Sequence, residues 1–529
     1  MHDYRSFALC ARPTIGPAPM IVMLLALLSP LDAYAQRASS PPSCDRLASS
    51  ALPNTTITSA LSVAAGSFTP PQPAGGTPAA PFSDLPAFCR VVASTRVLNS
   101  DVTFEVWMPA QGWTGEFVPA GSSFWGGPIP FARMREVLRT GAVTVGTNLG
   151  IEGFNGPSFV IDHPEKLENL KMEPLHVVVD RARTLMATFY GSGPKFTMMN
   201  ECGGGGSRDV LAVVQRFPAD LDAAVAVNFT NYGTRHGVSQ MWLHAATHRS
   251  ADAFIPASKL AMLHKAVLNA CDMNDGVKDD IIENPKQCKF DPAVLQCKGG
   301  DNADCLTSSQ VESVRRIYQT PRHSRTQEGI YGPMEPGSEL GWADMIGGPD
   351  PYRYSLAYYR YMVYKDPTWT YSKKPANFDT DIDRAESPAN IAINHTNPDL
   401  SGFVKRGGKL LLVGGWVDDL PPQNVVSYYE SVVRTMGDQV RDSVRLFMVP
   451  GMHHCFGGTF PGAYQVDFDP VQAVRSWKTS GKAPDQIVVT TSGTGWPTRK
   501  RLVCAYPNVS KYTGNGDTAD PANFTCGRP

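Results

Sequence analysis

Short apolar runs alternate with amphipathic helical patterns in two separated parts of the chain. In the first part, residues 103–109 alternate as in a half-buried strand, residues 143–148 have the pattern of a core strand, and residues 174–190 fit a long helix with proline at its first turn. In the second part, apolar runs occupy 409–413 and 443–449. Strands that alternate with helices in this way predict an α/β fold with a doubly wound sheet.

The alternation stops between residues 231 and 403, where tryptophans, a tyrosine-rich run and many polar or proline-rich connections take its place. A chain of 529 residues is also longer than one hydrophobic core usually holds. We therefore predict a large lid domain, residues 231–403, inserted into a main domain that residues 36–230 and 404–529 form together.

The N-terminus has the parts of a secretion signal. Two arginines precede an apolar run at 20–28, and residues 33–35 (Ala-Tyr-Ala) have the small-x-small form of a signal peptidase site. The alternative is a membrane anchor, but the run is too short to span a bilayer. We predict that residues 1–35 are removed from a secreted protein. Ten of the eleven cysteines would remain after the loss of Cys10, an even number that suits an oxidising compartment.

The charge pattern argues against two classes of partner. The formal net charge is -1, and the basic residues are not clustered. Neither nucleic acid nor an anionic membrane surface is therefore expected as a partner.

The stretch at 196–218 has the pattern of a nucleophile elbow. Apolar residues of a buried strand run into four glycines, Gly203–Gly206, and a helix begins near Ser207. Such a turn packs a helix closely on a strand and tolerates strained backbone angles, as α/β-hydrolases require. A phosphate-binding loop fits less well, because no lysine follows and Arg208 stands where GxGxxG needs its third glycine. A purely structural glycine turn remains the alternative.

Two polar loops follow the later apolar runs. Asp418 and Asp419 come after the run at 409–413, and His453 and His454 come after the run at 443–449. The order elbow, acid, histidine is the chain order of α/β-hydrolase triads. A carboxylate in the first loop would hold an imidazole in the second, so that the histidine acts as a general base toward a hydroxyl at the elbow.

The cysteines fall into pairs. Cys202 lies in the elbow and Cys455 directly follows His454, so these two cysteines must be neighbours if the histidine reaches the elbow. The alternative, that each pairs elsewhere, would break up the local couples of the other eight. Those couples are Cys44 with Cys89, Cys271 with Cys288, Cys297 with Cys305, and Cys504 with Cys526.

An acidic loop at 271–281, CDMNDGVKDDI, lies in the predicted lid. Carboxylates three and four residues apart around a glycine turn, with carbonyls between them, form an oxygen cage that suits calcium. Counted from Asp272, Glu283 stands at place twelve, but Gly276 comes one place too early for an EF-hand, so a different loop is expected. A solvated turn is the alternative.

Motifs spread over nearly the whole mature chain resemble the tannase and feruloyl esterase family, which also includes the bacterial mono(2-hydroxyethyl) terephthalate hydrolase. The motifs include FEVWMP, CGGGGSR with QRFP, CDMNDGVKDDII, GWVDDLPPQN, PGMHHC and the tail RLVCAYPNVSKYTGNGDTADPANFTC. The resemblance implies an α/β-hydrolase domain with a lid, a structural calcium ion, and hydrolysis of esters of aromatic acids such as gallate or ferulate.

Individual residues match the family's functional positions. Asp418 and His454 resemble the family's acid and base, and Cys202 and Cys455 resemble its cysteine pair beside the active site. The calcium ligands implied by the resemblance are the side chains of Asp272, Asp275 and Asp279 and the carbonyls of Val277 and Ile281.

The chain departs from the family pattern at the elbow. The family has its nucleophilic serine directly after the cysteine, whereas that position is Gly203 here, or Gly204 if the alignment is anchored on QRFP. Neither residue can attack a carbonyl. The nearest hydroxyl is Ser207, which becomes the candidate nucleophile if the extra residue changes the register of the turn. The oxyanion loop departs as well, with Ser122-Ser123 where the family has two glycines.

Three functions remain open from the sequence. The first is a secreted hydrolase of aromatic esters that uses Ser207, His454 and Asp418. The second is an enzyme that uses His454 and Asp418 as an acid/base pair without a covalent intermediate, for cyclisation, elimination or direct hydration of a phenolic compound. The third is a non-catalytic protein that binds aromatic ligands through its lid. A small aromatic ester or phenolic compound is the expected ligand in each case.

Overall fold

The computed structural model describes residues 43–71, 79–151, 156–457, 464–493 and 496–529, apart from the side chain of Trp496. The described residues form one compact unit. The predicted signal at 1–35 lies outside the described residues, so its removal stays a prediction.

The strands fall in two groups that are separated by a long helical segment. Their bounds are β1 Thr55–Val63, β2 Phe88–Val97, β3 Ser100–Pro109, β4 Glu116–Phe117, β5 Thr144–Thr147, β6 Phe196–Cys202, β7 Ala223–Val227, β8 Lys409–Gly415, β9 Val444–Val449, β10 Gln465–Asp467, β11 Gln486–Gly493, β12 Trp496–Cys504, β13 Val509–Tyr512 and β14 Phe524–Gly527.

The α-helices connect and cover these strands. Their bounds are α1 Phe131–Arg139, α2 Glu173–Tyr190, α3 Gly206–Arg216, α4 Gly233–Thr247, α5 Leu260–Cys271, α6 Ser308–Ile317, α7 Ala343–Ile346, α8 Arg353–Tyr358, α9 Phe378–Ala385, α10 Ser401–Val404, α11 Gln423–Met436 and α12 Pro470–Ser480. None of the helices in the described ranges is long and apolar enough to cross a membrane.

Five parallel strands form the centre of the fold, in the order β4-β6-β7-β8-β9. A four-stranded antiparallel sheet, β1-β2-β3-β5, continues this sheet at one edge. The two are joined by backbone hydrogen bonds, since the N–H of Val118 donates to the carbonyl of Val143 (2.8 Å) and the N–H of Ala120 donates to that of Val145 (2.9 Å). The apolar runs predicted at 409–413 and 443–449 lie in the two last parallel strands, β8 and β9.

Alternate residues of β8 enter two different apolar clusters. Leu410 and Leu412 pack in a cluster that includes residues of α2, α3 and α11. Leu411 and Val413 pack in another that includes residues of α12. Because successive side chains of a strand point to opposite faces, helices cover both faces of this sheet. This is the doubly wound arrangement that the sequence predicts.

The insertion between β7 and β8 is helical. Helices α4 to α10 and several short 3-10 turns lie in it, and part of it has its own apolar cluster around Leu263, Val267 and Trp342. Other insertion residues, such as Tyr359, pack in the same cluster as the main sheet. The insertion is therefore continuous with the rest of the compact unit, and the domain boundaries at 231 and 403 stay a prediction.

All five cysteine pairs that the sequence predicts form disulfides. Three of them close local segments of the chain: Cys271–Cys288, Cys297–Cys305 and Cys504–Cys526. Cys44–Cys89 joins the N-terminal turn to β2. Cys202–Cys455 spans 253 residues and ties the end of β6 to the loop after β9.

Candidate active site

The turn between β6 and α3 is an elbow whose first residue is Gly203. This residue has φ +85°, a left-handed conformation that glycine adopts without steric cost. Its N–H donates to the carbonyl of Val227 at 3.0 Å, and its carbonyl accepts from the N–H of Ser207 at 3.2 Å. The chain therefore leaves the strand, reverses sharply and enters the helix within four residues, as an elbow requires.

The loops after β8 and β9 bring a carboxylate and an imidazole together. Nδ1 of His454 lies 3.0 Å from Oδ1 of Asp418, and 3.5 Å from Oδ1 of Asp419. Asp418 is 2% exposed and also accepts from the side-chain amide of Asn228 and from the N–H of Leu420 at 3.1 Å. Because parallel strands end at the same edge of a sheet, β7, β8 and β9 deliver these groups to one place. The structure thus brings Asp418 and His454 together, while their catalytic role stays a prediction.

The charges of this cluster depend on one another. Burial opposes the charge of His454, but the negative charge of Asp418, its hydrogen bond and the charge of Asp419 together raise the pKa of His454 to about 9. Burial likewise opposes the charge of Asp418, yet His454 holds the pKa of this carboxyl below its usual value. Burial and the neighbouring Asp418 charge raise the pKa of Asp419 to about 6. Asp418 is therefore the ionised partner that orients the imidazole.

Ser207 does not face this cluster. Its side chain is fully buried in the first turn of α3, and its oxygen lies 2.7 Å from the carbonyl oxygens of both Glu201 and Val227. It also accepts from the N–H of Val227 at 3.1 Å. The extra residue of the elbow does not bring this hydroxyl to the surface, because a side chain in the first turn of α3 points back onto β6 and β7. These contacts argue against the predicted role of Ser207 as the nucleophile.

Gly203 is the elbow residue that faces the imidazole. A Cβ atom built on Gly203 would lie 3.0 Å from Nε2 of His454 and 3.5 Å from Sγ of Cys455. A Cβ atom on Gly204 would instead meet Oγ1 of Thr230 at 3.1 Å. Of the two alignments that the sequence leaves open, the structure therefore favours Gly203 as the position where a side-chain nucleophile would stand.

Backbone N–H groups near the elbow have no acceptor in the described part of the chain. Those of Ser123, Phe124 and Gly204 donate to no other described residue, whereas the N–H and hydroxyl of Ser122 both bind Asp209, at 2.8 and 2.6 Å. The oxyanion loop packs against the elbow, since a Cβ atom on residue 205 would lie 2.5 Å from the nitrogen of Phe124. A donor after the elbow residue and another from this loop form the usual oxyanion hole of an α/β-hydrolase.

A cavity of about 990 Å³ opens beside the elbow. Its lining includes His454, Asp419 and the ring-bearing side chains of Phe124, Trp125, Tyr352, Tyr354, Tyr358 and Tyr361. The tyrosines lie at the N-cap of α8, in α8 and in the turn after it, so the helical insertion supplies one wall. A volume of this size accommodates a small organic ligand, and aromatic walls suit a ligand with a planar ring.

His236 lies in the same wall and was missed by sequence reasoning. It is 6% exposed and its Nδ1 has no hydrogen-bond partner among the described residues. Burial lowers the pKa of this imidazole to about 4, so it is neutral at pH 7. It sits within helix α4, where neither a glycine turn nor a strand end marks it in the sequence.

The acidic loop in the insertion is partly buried and crowded with like charge. Burial and the neighbouring carboxylates of Asp279 and Asp272 raise the pKa of Asp275 to about 6, against the hydrogen bond from the N–H of Val277 and the charge of Arg501. Asp279 itself forms an ion pair with Arg501. A divalent cation would relieve this repulsion, and carboxylate and carbonyl oxygens are the donors that calcium prefers.

The loop nevertheless does not gather its acids around one point. Among the described residues, two sets of three side chains have ligand atoms within 4.8 Å of one another, and the trio of Asp272, Asp275 and Asp279 is not one of them. In the structure, Asp272 accepts instead from the N–H groups of Asp279 (3.3 Å) and Asp280 (3.1 Å). The residue types thus fit calcium, and its binding stays a prediction.

The fold and the site together define an α/β-hydrolase: a doubly wound sheet with an elbow after one strand and an acid and a histidine after later ones. The chain belongs to the tannase and feruloyl esterase family, whose model, described as "Tannase and feruloyl esterase", matches residues 89–527. This confirms the family that the sequence predicts, and with it the predicted class of carboxylic ester hydrolases.

Individual relatives cover most of the chain. An uncharacterized esterase of Xanthomonas campestris is 33% identical over 95% of this chain and 94% of its own length. A crystal structure of an esterase from Aspergillus oryzae has a TM-score of 0.81 at 29% identity and covers 91% of this chain and 99% of its own. The crystal structure of feruloyl esterase B from the same fungus has a TM-score of 0.79 at 28% identity, and it covers 92% of this chain and 100% of its own.

Proposed function

We propose that this protein is a secreted esterase that hydrolyses esters of aromatic, phenolic acids, with His454 transferring protons and Asp418 orienting it. The single observation that carries the proposal is the hydrogen bond between the buried Asp418 and His454, which lines the cavity beside the elbow. Five disulfides support secretion, because such bonds persist in oxidising compartments.

The ester carbonyl would bind with its oxygen toward the N–H groups of Gly204 and Phe124. Both groups lack an acceptor among the described residues, and both residues line the cavity. As the tetrahedral intermediate forms, negative charge develops on this oxygen, and each well-placed donor contributes about 3 kcal/mol to its stabilisation. This arrangement favours acyl transfer over cyclisation or elimination, which develop charge elsewhere on the substrate.

His454 would serve both halves of the reaction. Its Nδ1 bonds to Asp418, which leaves Nε2 directed toward Gly203 and the cavity. The neutral imidazole takes a proton from the attacking group, and the imidazolium then gives that proton to the departing alkoxide. Asp418 holds the ring in the tautomer with hydrogen on Nδ1.

The aromatic lining supports an aromatic acyl group as substrate. The ring centroids of Trp125 and Tyr358 lie 6.3 Å apart, their planes are inclined by 24°, and both residues line the cavity. Rings of this kind contact planar ligands through large apolar surfaces. One of the similar solved structures is named as a feruloyl esterase, which agrees with this substrate class.

A calcium ion, where bound, would stabilise the acidic loop and take no part in the chemistry. The side chains of Asp272, Asp275 and Asp279 and the carbonyls of Val277 and Ile281 would hold it. Each of these residues lies in the loop at 271–281.

The test is hydrolysis of methyl ferulate, methyl gallate and an aryl acetate by the purified protein and by a His454→Ala variant. The matched control is His163→Ala, because this histidine is 48% exposed and does not line the cavity. We expect the first variant to lose roughly 10²- to 10⁴-fold in kcat/KM and the control to lose none. The proposal would be overturned if the native protein hydrolysed none of these esters, or if His454→Ala kept full activity.

A further inference from the structure

The side-chain position at the elbow is empty of any nucleophile. Gly203 has no side chain, yet the direction of its missing Cβ leads within 3.0 Å of Nε2 of His454. In a serine hydrolase the space beyond that Cβ holds the attacking oxygen. Here the imidazole of His454 faces a position that holds no side chain, next to N–H groups suited to an oxyanion.

The hydroxyl groups around the elbow are bound to the protein itself. Ser207 bonds to the carbonyls of two strands, Thr230 donates to the carbonyl of Gly204 at 2.9 Å, and Ser122 donates to Asp209 at 2.6 Å. The hydroxyl of Ser123 donates to the carbonyl of Gly126.

The two cysteines beside the elbow offer no free thiol. Cys202 and Cys455, which flank the facing residues Gly203 and His454, form a disulfide with each other. In the described part of the chain, the elbow therefore offers His454 no hydroxyl or thiol from which to take a proton.

We propose that a water molecule in the space beside Gly203 is the nucleophile, so that the ester is hydrolysed in a single displacement without an acyl-enzyme. This inference rests on the proposed esterase function and concerns the same site. A water molecule is smaller than the missing hydroxymethyl group, and one of its O–H groups would donate to Nε2 of His454.

The reaction balances without any further reactant. Nε2 of His454 takes one proton of the water while the water oxygen forms a bond to the carbonyl carbon, and the carbonyl electron pair moves to the oxygen held by the N–H groups of Gly204 and Phe124. The tetrahedral intermediate then collapses, the bond to the alcohol oxygen breaks, and His454 returns the proton to that oxygen. One ester and one water give one acid and one alcohol.

The first arm of the experiment uses the native protein. An alkyl phosphonofluoridate probe is followed by intact mass, and release of 4-nitrophenol from 4-nitrophenyl ferulate is followed by stopped flow. We expect steady turnover with neither covalent label nor burst. Turnover accompanied by a label on Ser207 or another residue, or by a burst near one equivalent, would overturn this inference and leave the esterase function standing.

The second arm restores a side-chain nucleophile. Gly203→Ser is expected to raise phosphonofluoridate labelling from none to about one per chain, with the label at position 203. The matched control is Gly204→Ser, whose side chain would point at Thr230 and Phe124 and is expected to stay unlabelled. Circular dichroism and melting temperature verify that both variants fold.

The outcomes separate the two proposals. If both variants are labelled, or if a well-folded Gly203→Ser is not labelled at all, position 203 does not face the base and the inference is overturned. If Gly203→Ser fails to fold, the burst and label measurements on the native protein still decide the question. Absence of turnover for every ester would overturn the esterase function, and the water mechanism with it.

Discussion

Replacement of Asp418 by asparagine removes the charge that sets the pKa of His454. In the native protein burial opposes protonation of His454, but Asp418 and its hydrogen bond outweigh burial and raise the pKa to about 9. A general base acts only when it is neutral, so kcat/KM of the native enzyme should rise with pH and level off above about pH 9. At pH 7 about one in a hundred His454 side chains would be neutral.

The magnitude of the effect follows from the shift. The rise from the ordinary 6.5 to about 9 corresponds to about 3 kcal/mol in favour of the imidazolium. In Asp418→Asn the pH midpoint should therefore move down by up to about two units. The amide nitrogen would at the same time donate to Nδ1 and place the ring hydrogen on Nε2, the wrong tautomer for a base. In a serine protease triad the same change costs about 10⁴-fold in kcat.

The assay is kcat/KM for methyl ferulate from pH 5.5 to 10, for the native enzyme, Asp418→Asn and the control Asp419→Asn. Asp419 lies farther from Nδ1 of His454, at 3.5 Å, so its replacement should shift the midpoint less. Because its pKa is raised, His454 contributes its full stabilisation of the fold below pH 6.5 and loses it as pH rises through about 9. Folding is therefore checked at each pH. Equal midpoints for the native enzyme and Asp418→Asn would refute the reasoning.

Three further changes test other parts of the molecule. The double variant Cys202→Ser, Cys455→Ser should lower kcat more than it raises KM, because the disulfide fixes the loop that carries His454 to the elbow. A rise in KM alone, measured by steady-state kinetics, would contradict this. Arg501→Met removes the cation that pairs with the buried Glu283 and leaves Asp279 only the more distant Arg499, at 3.8 Å, so it should cost about 3 kcal/mol in thermal unfolding. An unchanged melting temperature would show that the ion pairs of Arg501 contribute nothing to stability. His236→Phe should reduce the preference for methyl p-coumarate over methyl cinnamate by about tenfold, because it removes a polar imidazole from the cavity wall to which a ring hydroxyl would bond. An unchanged ratio would exclude this contact.

Periodicity and chain order were enough to predict most of the scaffold. The apolar runs at 409–413 and 443–449 are strands because a parallel strand covered by helices on both faces needs apolar residues at every position. The proximity of Asp418 and His454 could be predicted for the same reason, since each lies in the loop after such a strand, while their catalytic roles stay a prediction. The pairing of Cys202 with Cys455 follows from the sequence alone, because Cys455 is next to His454 and Cys202 lies in the elbow.

Side-chain direction could not be predicted in the same way. Ser207 is the hydroxyl nearest to the elbow in the chain and is therefore the candidate that the sequence offers, but its side chain in the first turn of the helix points back onto the sheet. His236 carries no local signal, because its importance comes from a cavity whose walls are more than 100 residues apart in the chain, at Phe124 and Tyr358. Contacts of this kind depend on the packing of distant segments rather than on a pattern of neighbours.

The buried acid–base pair itself argues against a passive binding protein. Asp418 is an ionised carboxylate with 2% of its surface exposed, and its charge is balanced by an imidazole at the wall of a cavity. Removing two such groups from water costs several kcal/mol per ion, and apolar residues of similar volume are often at least as stable. A protein that only stacks aromatic ligands between rings gains nothing from this pair. A hydrolase does, because in the proposed mechanism the same pair would supply the base, its orientation and the proton for the leaving group.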